Sequence, residues 1–583
     1  MLRSRLAQNR ALLFGVALLL CLSMVCLAQE SRGSITGKVV DPQNSVVPGA
    51  AVVVTNTATG VSDKATTNQT GYFEVNFLNP GPYLVSVESA GFKKLVRAGI
   101  TVSTGDRLAL DLALEIGQAS QSVEVTAEAP LLDTTNAATG RVLNTRDMAQ
   151  LPYTTMNPFA LQAMAAGMIF TGAMTPDNNR ALDHAATANF DSGGLGTGTN
   201  EFLLDGNPVT GTNGGRAGFV PNAEAVDEVR IETSPYDASM GHAVGSFISA
   251  TVKSGTNSLH GAGFWQFQQF RWNAAPHFTR LNYQAGLANG SIKAGTPEQA
   301  SGRVTTPGFG VGGPVWIPKV INGKNKLFFY VSYSKLVSIA PPNSTPIYTV
   351  PTAAQRTGDF SALLVGTTNP SQYIVYDPRT AAMVSGHVTR TPFPNNTVPA
   401  SMQTNPLAKF WSQIWPMPNN PSQLQADGTN NFYDGGQPNN DWFPNFINRY
   451  DYNINQRQHL NGKWYFNSRF TDQYDWAHDT PLKGIMSNGL WRPTRGGSLD
   501  YLFTINANNV LDVTFSITQY SEGDKKPSDF DYNAAKVGLP SYIDQKAGSA
   551  DVLPWINVSG VAAAASTSFV GAPGLNQRGT TEQ

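Results

Sequence analysis

The later part of the chain alternates apolar and polar side chains over long segments, and this pattern constrains the fold most strongly. In residues 463–470 one set of alternate positions is aromatic and the other carries most of the polar groups: Trp464, Phe466 and Phe470 against Lys463, Tyr465, Asn467 and Arg469. Residues 499–506 and 511–518 repeat the alternation on either side of a tight Asn-rich turn. Successive side chains of a strand point to opposite faces, so these segments predict long antiparallel strands.

Soluble antiparallel sheets and transmembrane barrels both alternate in this way. Barrels also have very short turns at one end and long loops at the other. Here the turn at 506–509 is short, whereas the stretch from Lys335 to Phe446 is long and rich in Pro, Asn and Thr. Charged residues make up only 14% of the chain, against about 25% in ordinary soluble domains. We therefore predict a partial β-barrel over residues 258–583.

The N-terminus has the pattern of a secretory signal peptide. An apolar run that ends in small residues at position 28 follows three basic residues, Arg3, Arg5 and Arg10. We predict a cleaved signal over residues 1–28. The alternatives are an uncleaved anchor helix and, with less support, a lipoprotein, because no small residue precedes Cys21 or Cys26. Both cysteines lie in this segment, so the mature chain has no disulfide and no thiolate metal site.

No later apolar run approaches the length of a transmembrane helix. A location in a membrane would therefore require a closed barrel, because only helices and closed barrels satisfy their backbone groups in lipid.

Residues 31–116 read as a compact all-β unit. Short β-rich segments alternate with turn sequences such as Asn68-Gln69-Thr70-Gly71, at a spacing that predicts a small β-sandwich. We expect its aromatic residues to lie in the core rather than to form a carbohydrate platform: Tyr72, Phe73 and Tyr83.

A polar linker follows over residues 118–129. Its six-residue segment comprises Ser122, Val123, Glu124, Val125, Thr126 and Ala127. One interpretation is an edge strand or tether. The other is a segment presented to a partner for strand addition, in which backbone hydrogen bonds give affinity.

Residues 130–257 mix short helices and strands, which predicts a small α+β unit. Asn157 before Pro158 indicates a helix start, and residues 202–206 read as a buried strand ending in an Asp-Gly turn. Residues 190–200 read as a Gly-Ser-Thr loop. Its Asp191-Ser192 pair superficially matches a serine-protease loop, but no paired His-Asp pattern accompanies it, so we name no catalytic residue.

Several motifs carry a family resemblance. The first unit resembles the carboxypeptidase regulatory-like domain, a transthyretin-like and carbohydrate-binding-like sandwich, through Gly37-Lys38-Val39, Thr70-Gly71-Tyr72-Phe73 and Ala90-Gly91-Phe92. Leu204-Asp205-Gly206 and residues 226–229 and 236–241 resemble the plug of TonB-dependent receptors. Residues 251–261, Thr-Val-Lys-Ser-Gly-Thr-Asn-Ser-Leu-His-Gly, resemble the plug-to-barrel signature of the Oar-like branch, and residues 309–314 and 323–329 resemble its next strands.

The resemblance implies an outer-membrane receptor in which a plug, residues 130–257, occludes a barrel. It implies a TonB box near residues 122–127, with TonB and its inner-membrane energising complex as partners. Outer-membrane lipid and an unknown extracellular ligand, such as an oligosaccharide, peptide or siderophore, are the other partners. It places the sandwich in the periplasm. It implies no enzyme activity, cofactor or metal, and the net charge of −1 gives no electrostatic footprint for nucleic acid.

The strand count departs from the family. Barrels of outer-membrane transporters have roughly 22 strands, whereas we find about seven or eight candidate strands at the spacing that such barrels use. We therefore expect a truncated product or fragment. Two other functions stay open: a non-transporting surface or adhesion protein, and a periplasmic hydrolase built on the sandwich, for which no catalytic constellation is present.

Overall fold

The structure is a computed structural model. It describes residues 31–117, 122–126, 140–150, 157–171, 187–211, 215–233, 244–275, 277–288, 295, 297–298, 302–340, 347–348, 350–365, 369–406, 409, 417–419, 431–433, 439–472, 489–506, 509–525, 535, 538–547 and 577–582. The predicted signal peptide, Ala127 and the motif at 236–241 lie outside these residues.

The first unit is a two-sheet β-sandwich, as predicted. One sheet has the order β4-β1-β7 with β8 beside β1, and the other has the order β3-β2-β5-β6-β9. Alternate residues of each long strand enter one shared core, which includes Phe73 and Tyr83 as expected, whereas Tyr72 is half-buried. The strands are β1 (Gly33–Val40), β2 (Ala51–Asn56), β3 (Ser62–Thr66), β4 (Tyr72–Leu78), β5 (Gly81–Glu88), β6 (Lys94–Val102), β7 (Arg107–Ala109), β8 (Leu112–Ala113) and β9 (Ser122–Thr126).

The second unit, the plug, is a mixed sheet of order β10-β15-β16-β13-β14 with short helices. β13 and β16 run parallel and are buried along their whole length. The predicted helix start is confirmed, because the Asn157 side chain accepts a hydrogen bond from the Phe159 N–H at 3.0 Å. The strands are β10 (Gly140–Asn144), β11 (Met168–Phe170), β12 (Phe190–Ser192), β13 (Glu201–Leu204), β14 (Asn207–Pro208), β15 (Val226–Glu232) and β16 (Phe247–Val252). The helices are α1 (Thr145–Gln150) and two 3-10 turns, Pro158–Met164 and Ala223–Ala225.

The third unit is an antiparallel sheet of eight strands within the described residues, in the order β17-β18-β21-β26-β27-β28-β29-β30. They are β17 (His260–Gln269), β18 (Arg303–Pro314), β21 (Leu327–Ala340), β26 (Asn439–Asn455), β27 (Gln458–Asp472), β28 (Gly489–Asn506), β29 (Asn509–Lys525) and β30 (Gln577–Glu582). Among these strands β17 and β30 are not neighbours, so the sheet is an open part of a barrel.

Two small hairpins, one further strand pair and several short helices lie between the long strands in the described residues. The hairpins pair β19 (Trp316–Ile317) with β20 (Ile321–Asn322) and β23 (Ala382–Val384) with β24 (His387–Thr389), and the further pair joins β22 (Ile347–Tyr348) to β25 (Phe432–Tyr433). The α-helices are α2 (His277–Ala288), α3 (Ala353–Arg356) and α4 (Tyr542–Ala547). The 3-10 turns are Phe270–Trp272, Ser361–Leu364, Pro370–Tyr373, Pro378–Thr380, Pro394–Asn396 and Ala400–Met402. No helix in the described part of the chain combines the length and apolar character needed to cross a bilayer.

Two expected loop boundaries were wrong. The long loop was expected from Lys335 to Phe446, but β21 and β26 continue their register up to the pair Ala340 and Asn439. The last buried side chains described on these strand ends are polar, Ser338 and Asp441, whereas Leu336 and Phe443 before them are apolar. The apolar–polar pattern therefore fades before the pairing stops. The expected loop at 190–200 likewise begins with the short strand β12, which pairs with β11.

Candidate functional site

The plug contacts the barrel wall through a buried cluster of charges, which we call the ion cluster: Asp205, Arg449, Asp451 and Lys463. Asp205 follows β13 in the Asp-Gly turn, with a positive φ of 48° that Asp tolerates better than most residues. The Val252 N–H donates to Asp205 Oδ1 at 2.8 Å and fixes the carboxylate at the end of the plug sheet. Lys463 Nζ, from β27, donates to Asp205 Oδ2 at 3.0 Å and to the Leu204 carbonyl at 3.1 Å.

Arg449 of β26 completes the cluster. Its Nη2 donates to Asp451 Oδ1 at 2.9 Å, and its Nη1 donates to the plug carbonyl of Val252 at 2.9 Å. Ser254, just after the plug, donates its hydroxyl to Asp451 Oδ2 at 2.7 Å. Two cations therefore face two carboxylates, and each charge also has hydrogen bonds, which is the condition under which buried charges are tolerated.

Further along the lumen, barrel side chains bind the backbone of the plug. Asn445 Nδ2 donates to the Val220 carbonyl at 2.6 Å, and Thr494 Oγ1 donates to the Gly218 carbonyl at 2.8 Å. The Tyr330 hydroxyl donates to the Glu224 carbonyl at 2.8 Å. In these bonds the barrel side chains contact backbone carbonyls of the plug rather than its side chains.

One aromatic pair adds an apolar contact between plug and wall. The rings of Phe219 and Tyr465 have centroids 4.3 Å apart. Both side chains are buried, and aromatic pairs at such distances contribute beyond their buried area.

A buried residue of the sandwich, Thr104, contacts the plug. The Thr104 N–H and hydroxyl donate to Glu228 Oε2 at 2.7 and 3.0 Å. Burial raises the pKa of the Glu228 carboxyl, and the bond from the Thr104 N–H partly offsets that rise. Burial also raises the pKa of the neighbouring Asp227.

The sandwich also contacts the end of the barrel that has the short turns. Arg32 Nη2 lies 2.6 Å from Asp512 Oδ2, and Nη1 lies 3.4 Å from Asp500 Oδ1. Asn257 Nδ2 donates to the Thr59 carbonyl at 2.6 Å. A cavity of about 1230 Å³ lies between the three units and borders the ion cluster.

The candidate TonB box forms strand β9 at the edge of the sandwich. Residues Ser122 to Thr126 run parallel to β6, from the pair Ser122–Lys94 to the pair Thr126–Ala98. The structure thus places the segment in an edge strand. Its role as a partner-binding strand stays a prediction.

The Asp191-Ser192 loop has a structural explanation. The Ser192 hydroxyl contacts the Ser246 hydroxyl, and Asp191 Oδ1 accepts a bond from the Gly196 N–H at 3.0 Å. Within the described residues, no group of three or more His, Cys, Asp or Glu side chains could hold a metal ion.

Sequence reasoning missed the ion cluster, although it named the motif containing Asp205. A signal was present, because Lys463 falls on the face of β27 opposite Trp464, Phe466 and Phe470. A charged residue on that face of a barrel strand needs a partner in the lumen.

The exposed faces of the barrel strands distinguish a membrane protein from a soluble one. Along β29 the outward residues are apolar and exposed, whereas Ser516 and Thr518 between them are buried: the outward set is Leu511, Val513, Phe515 and Ile517. This inversion of the usual soluble pattern is typical of transmembrane barrels. The family model described as "Outer membrane beta barrel domain" matches residues 251–582.

The chain belongs to the outer membrane β-barrel family. A second family model, the carboxypeptidase regulatory-like domain, matches residues 34–115. The predicted fold class, the predicted outer-membrane location and the resemblance to Oar-like receptors are confirmed. The domain bounds set from sequence stay predictions.

The family member described here is similar to the TonB-dependent transporter Oar of Myxococcus xanthus, with 25% identity over 254 residues, 41% of this chain and 22% of that protein. Among solved structures, the outer-membrane transporter YddB of Escherichia coli has 11% identity and a TM-score of 0.39, over 67% of this chain and 41% of that one. The siderophore receptor PirA of Acinetobacter baumannii has 12% identity and a TM-score of 0.32, over 68% of this chain and 46% of that one. The chain thus spans less than half the length of these relatives.

Proposed function

We propose that the chain functions as a TonB-dependent outer-membrane receptor, in which the plug controls passage of a ligand through the barrel. The observation that carries the proposal is the ion cluster, because Asp205 of the plug faces two cations of the wall, Arg449 and Lys463, and Arg449 also binds the plug carbonyl of Val252. Breaking such a contact requires work, and an energising partner would supply that work.

The mechanism needs no covalent chemistry and no cofactor, so the proposed protein is not an enzyme. TonB, driven by its inner-membrane complex, would bind the segment at residues 122–127 from the periplasm, where the sandwich would lie. The plug would then leave the wall, exchanging its bonds to Asn445 and Thr494 for bonds to water.

The ligand would be an oligosaccharide, a peptide or a siderophore. The match to Oar, which is described as a TonB-dependent transporter, supports the transport class and leaves the ligand class open.

Strand addition depends on backbone donors, so proline tests the partner directly. We expect Val123→Pro together with Val125→Pro to weaken binding of the purified periplasmic domain of TonB by at least about tenfold, a loss of roughly 1.4 kcal/mol. Val123→Thr with Val125→Thr is the matched control and should bind normally. Unchanged binding in the proline variant would overturn the assignment and favour a surface-binding protein that needs no energising partner.

A further inference from the structure

In the turn after β6, residues 103–106, every polar group of Thr104 bonds to the plug. Thr104 donates its N–H and its hydroxyl to Glu228, and its carbonyl accepts from Arg230 Nη1 at 2.7 Å. Its hydroxyl also lies 2.7 Å from that of Thr251. Arg230 Nη1 further contacts Asp106 Oδ1 at 3.3 Å. Since Thr104 is 1% exposed, these bonds are shielded from water.

The strand that leads into this turn, β6, also pairs with β9. β9 pairs with the first half of β6, and the turn follows the last residue of β6 directly. Hydrogen bonds of a parallel pair are evenly spaced along the strands. A load applied along β9 would therefore be shared by these bonds and passed into β6.

On the plug side, the contact lies next to the ion cluster. Glu228 and Thr251 are register partners on β15 and β16. The next residue, Val252, donates its N–H to Asp205 and accepts from Arg449 through its carbonyl. Adjacent residues of β16, Thr251 and Val252, thus make the sandwich contact and the bond that holds the plug to the wall.

We propose that the sandwich is the coupling element of the receptor: a partner strand bound at the free edge of β9 would pull the sandwich, and the turn at residues 103–106 would transmit that pull to the plug beside the ion cluster. The inference rests on the proposed function, since it needs a partner that pulls. The competing route runs along the chain from β9 to β10 and bypasses the sandwich.

Single-molecule pulling on the lipid-reconstituted full chain separates the two routes, with force applied through a ligated peptide tag inserted before Ser122. We expect wild type to release sandwich and plug in one rupture. Thr104→Val with Arg230→Met should split that rupture into two, the sandwich leaving first. Lys93→Ala with Glu115→Ala removes an exposed ion pair within the sandwich and should keep the single rupture. Two ruptures in wild type, or one in the Thr104–Arg230 variant, would overturn the proposal.

A disulfide provides a second test, in which the oxidised and reduced forms share one sequence. The hydroxyl oxygens of Thr104 and Thr251 are 2.7 Å apart, so Thr104→Cys with Thr251→Cys places two sulfurs close to bonding distance. Combined with Arg230→Met, the oxidised pair should give one rupture and the reduced pair two. Equal patterns in both states would contradict the inference. No TonB is present in these measurements, so they stand apart from the TonB-binding experiment that tests the proposed function.

Discussion

Lys463 of the barrel and Asp205 of the plug form a buried ion pair, with Nζ 3.0 Å from Oδ2. Removing Lys463 takes away the nearer cation and its hydrogen bond, and leaves the Asp205 carboxylate with Arg449 at 3.6 Å. We therefore expect Lys463→Met to lower the stability of the plug by about 3–5 kcal/mol. Hydrogen exchange of β13 and β16 at increasing urea measures this loss.

The double variant Asp205→Asn with Lys463→Met should recover part of the loss, because neither charge then remains unpaired. Lys335→Met, at an exposed position on β21, is the matched control and should change little. Equal losses in the single and double variants would contradict the pairing.

The contact between Thr104 and Glu228 should depend on pH. Burial raises the pKa of Glu228 in the folded state, so the folded protein holds a proton that the unfolded chain releases. The stabilisation of the folded state by this proton is complete below the ordinary pKa of glutamate, and it is lost as pH rises through the raised pKa of Glu228. Glu228→Gln should flatten this dependence and be more stable than wild type at neutral pH.

The pKa of Asp227 is also raised in the folded state, so stability should still fall somewhat with rising pH in the Glu228→Gln variant. Urea titrations of the sandwich–plug contact from acid to neutral pH provide the measurement. Glu115→Gln changes an exposed glutamate and should leave the slope as in wild type. A steeper profile for Glu228→Gln would refute the assignment.

Gly255 marks a close approach between the plug-to-barrel segment and the wall. A Cβ there would lie 2.4 Å from the Phe329 carbonyl oxygen and 2.6 Å from that of Gly313. Because both neighbours are backbone, we expect Gly255→Ala to cost about 1–3 kcal/mol. At Gly263 the nearest atom would be 4.0 Å away, so Gly263→Ala should be tolerated. Urea midpoints of the two variants test the difference.

The outward face of β29 should behave as a lipid-contacting surface. Phe515 is 60% exposed, and an arginine near the middle of a bilayer costs about 2–4 kcal/mol. Phe515→Arg should therefore lower the midpoint of folding into lipid vesicles, while Phe515→Leu should not. A change within about 0.5 kcal/mol, usual for a water-exposed site, would argue against lipid contact.

The sequence predicted the faces of the barrel strands better than their ends. Alternation assigned Lys463 and Trp464 to opposite sides, and the structure buries the first and exposes the second. The strand ends near Ala340 and Asn439 were missed because a polar lumen allows a strand to continue with polar side chains inside, here Ser338 and Asp441. Periodicity reports which side a residue faces and does not report where hydrogen bonding stops.

The partners within the ion cluster were not predictable for a different reason. Asp205 and Lys463 are separated by 258 positions, and no local pattern relates them. The turn that carries Asp205 was visible as an Asp-Gly pair, and the orientation of Lys463 followed from alternation. Their meeting depends on how the plug sits in the lumen, which is a property of the whole fold.

Arg32 and Asp512 are 480 positions apart in sequence, although Arg32 lies at the start of the first unit to be synthesised. The sandwich has its own core and can fold early, but its contact with the barrel through Arg32 does not exist until β28 and β29 have paired. We expect pulse-labelled chains to gain protease resistance in residues 31–117 before the plug does. Formation of the Arg32 ion pair would then be a late event in assembly, because it requires that β28 and β29 have been placed.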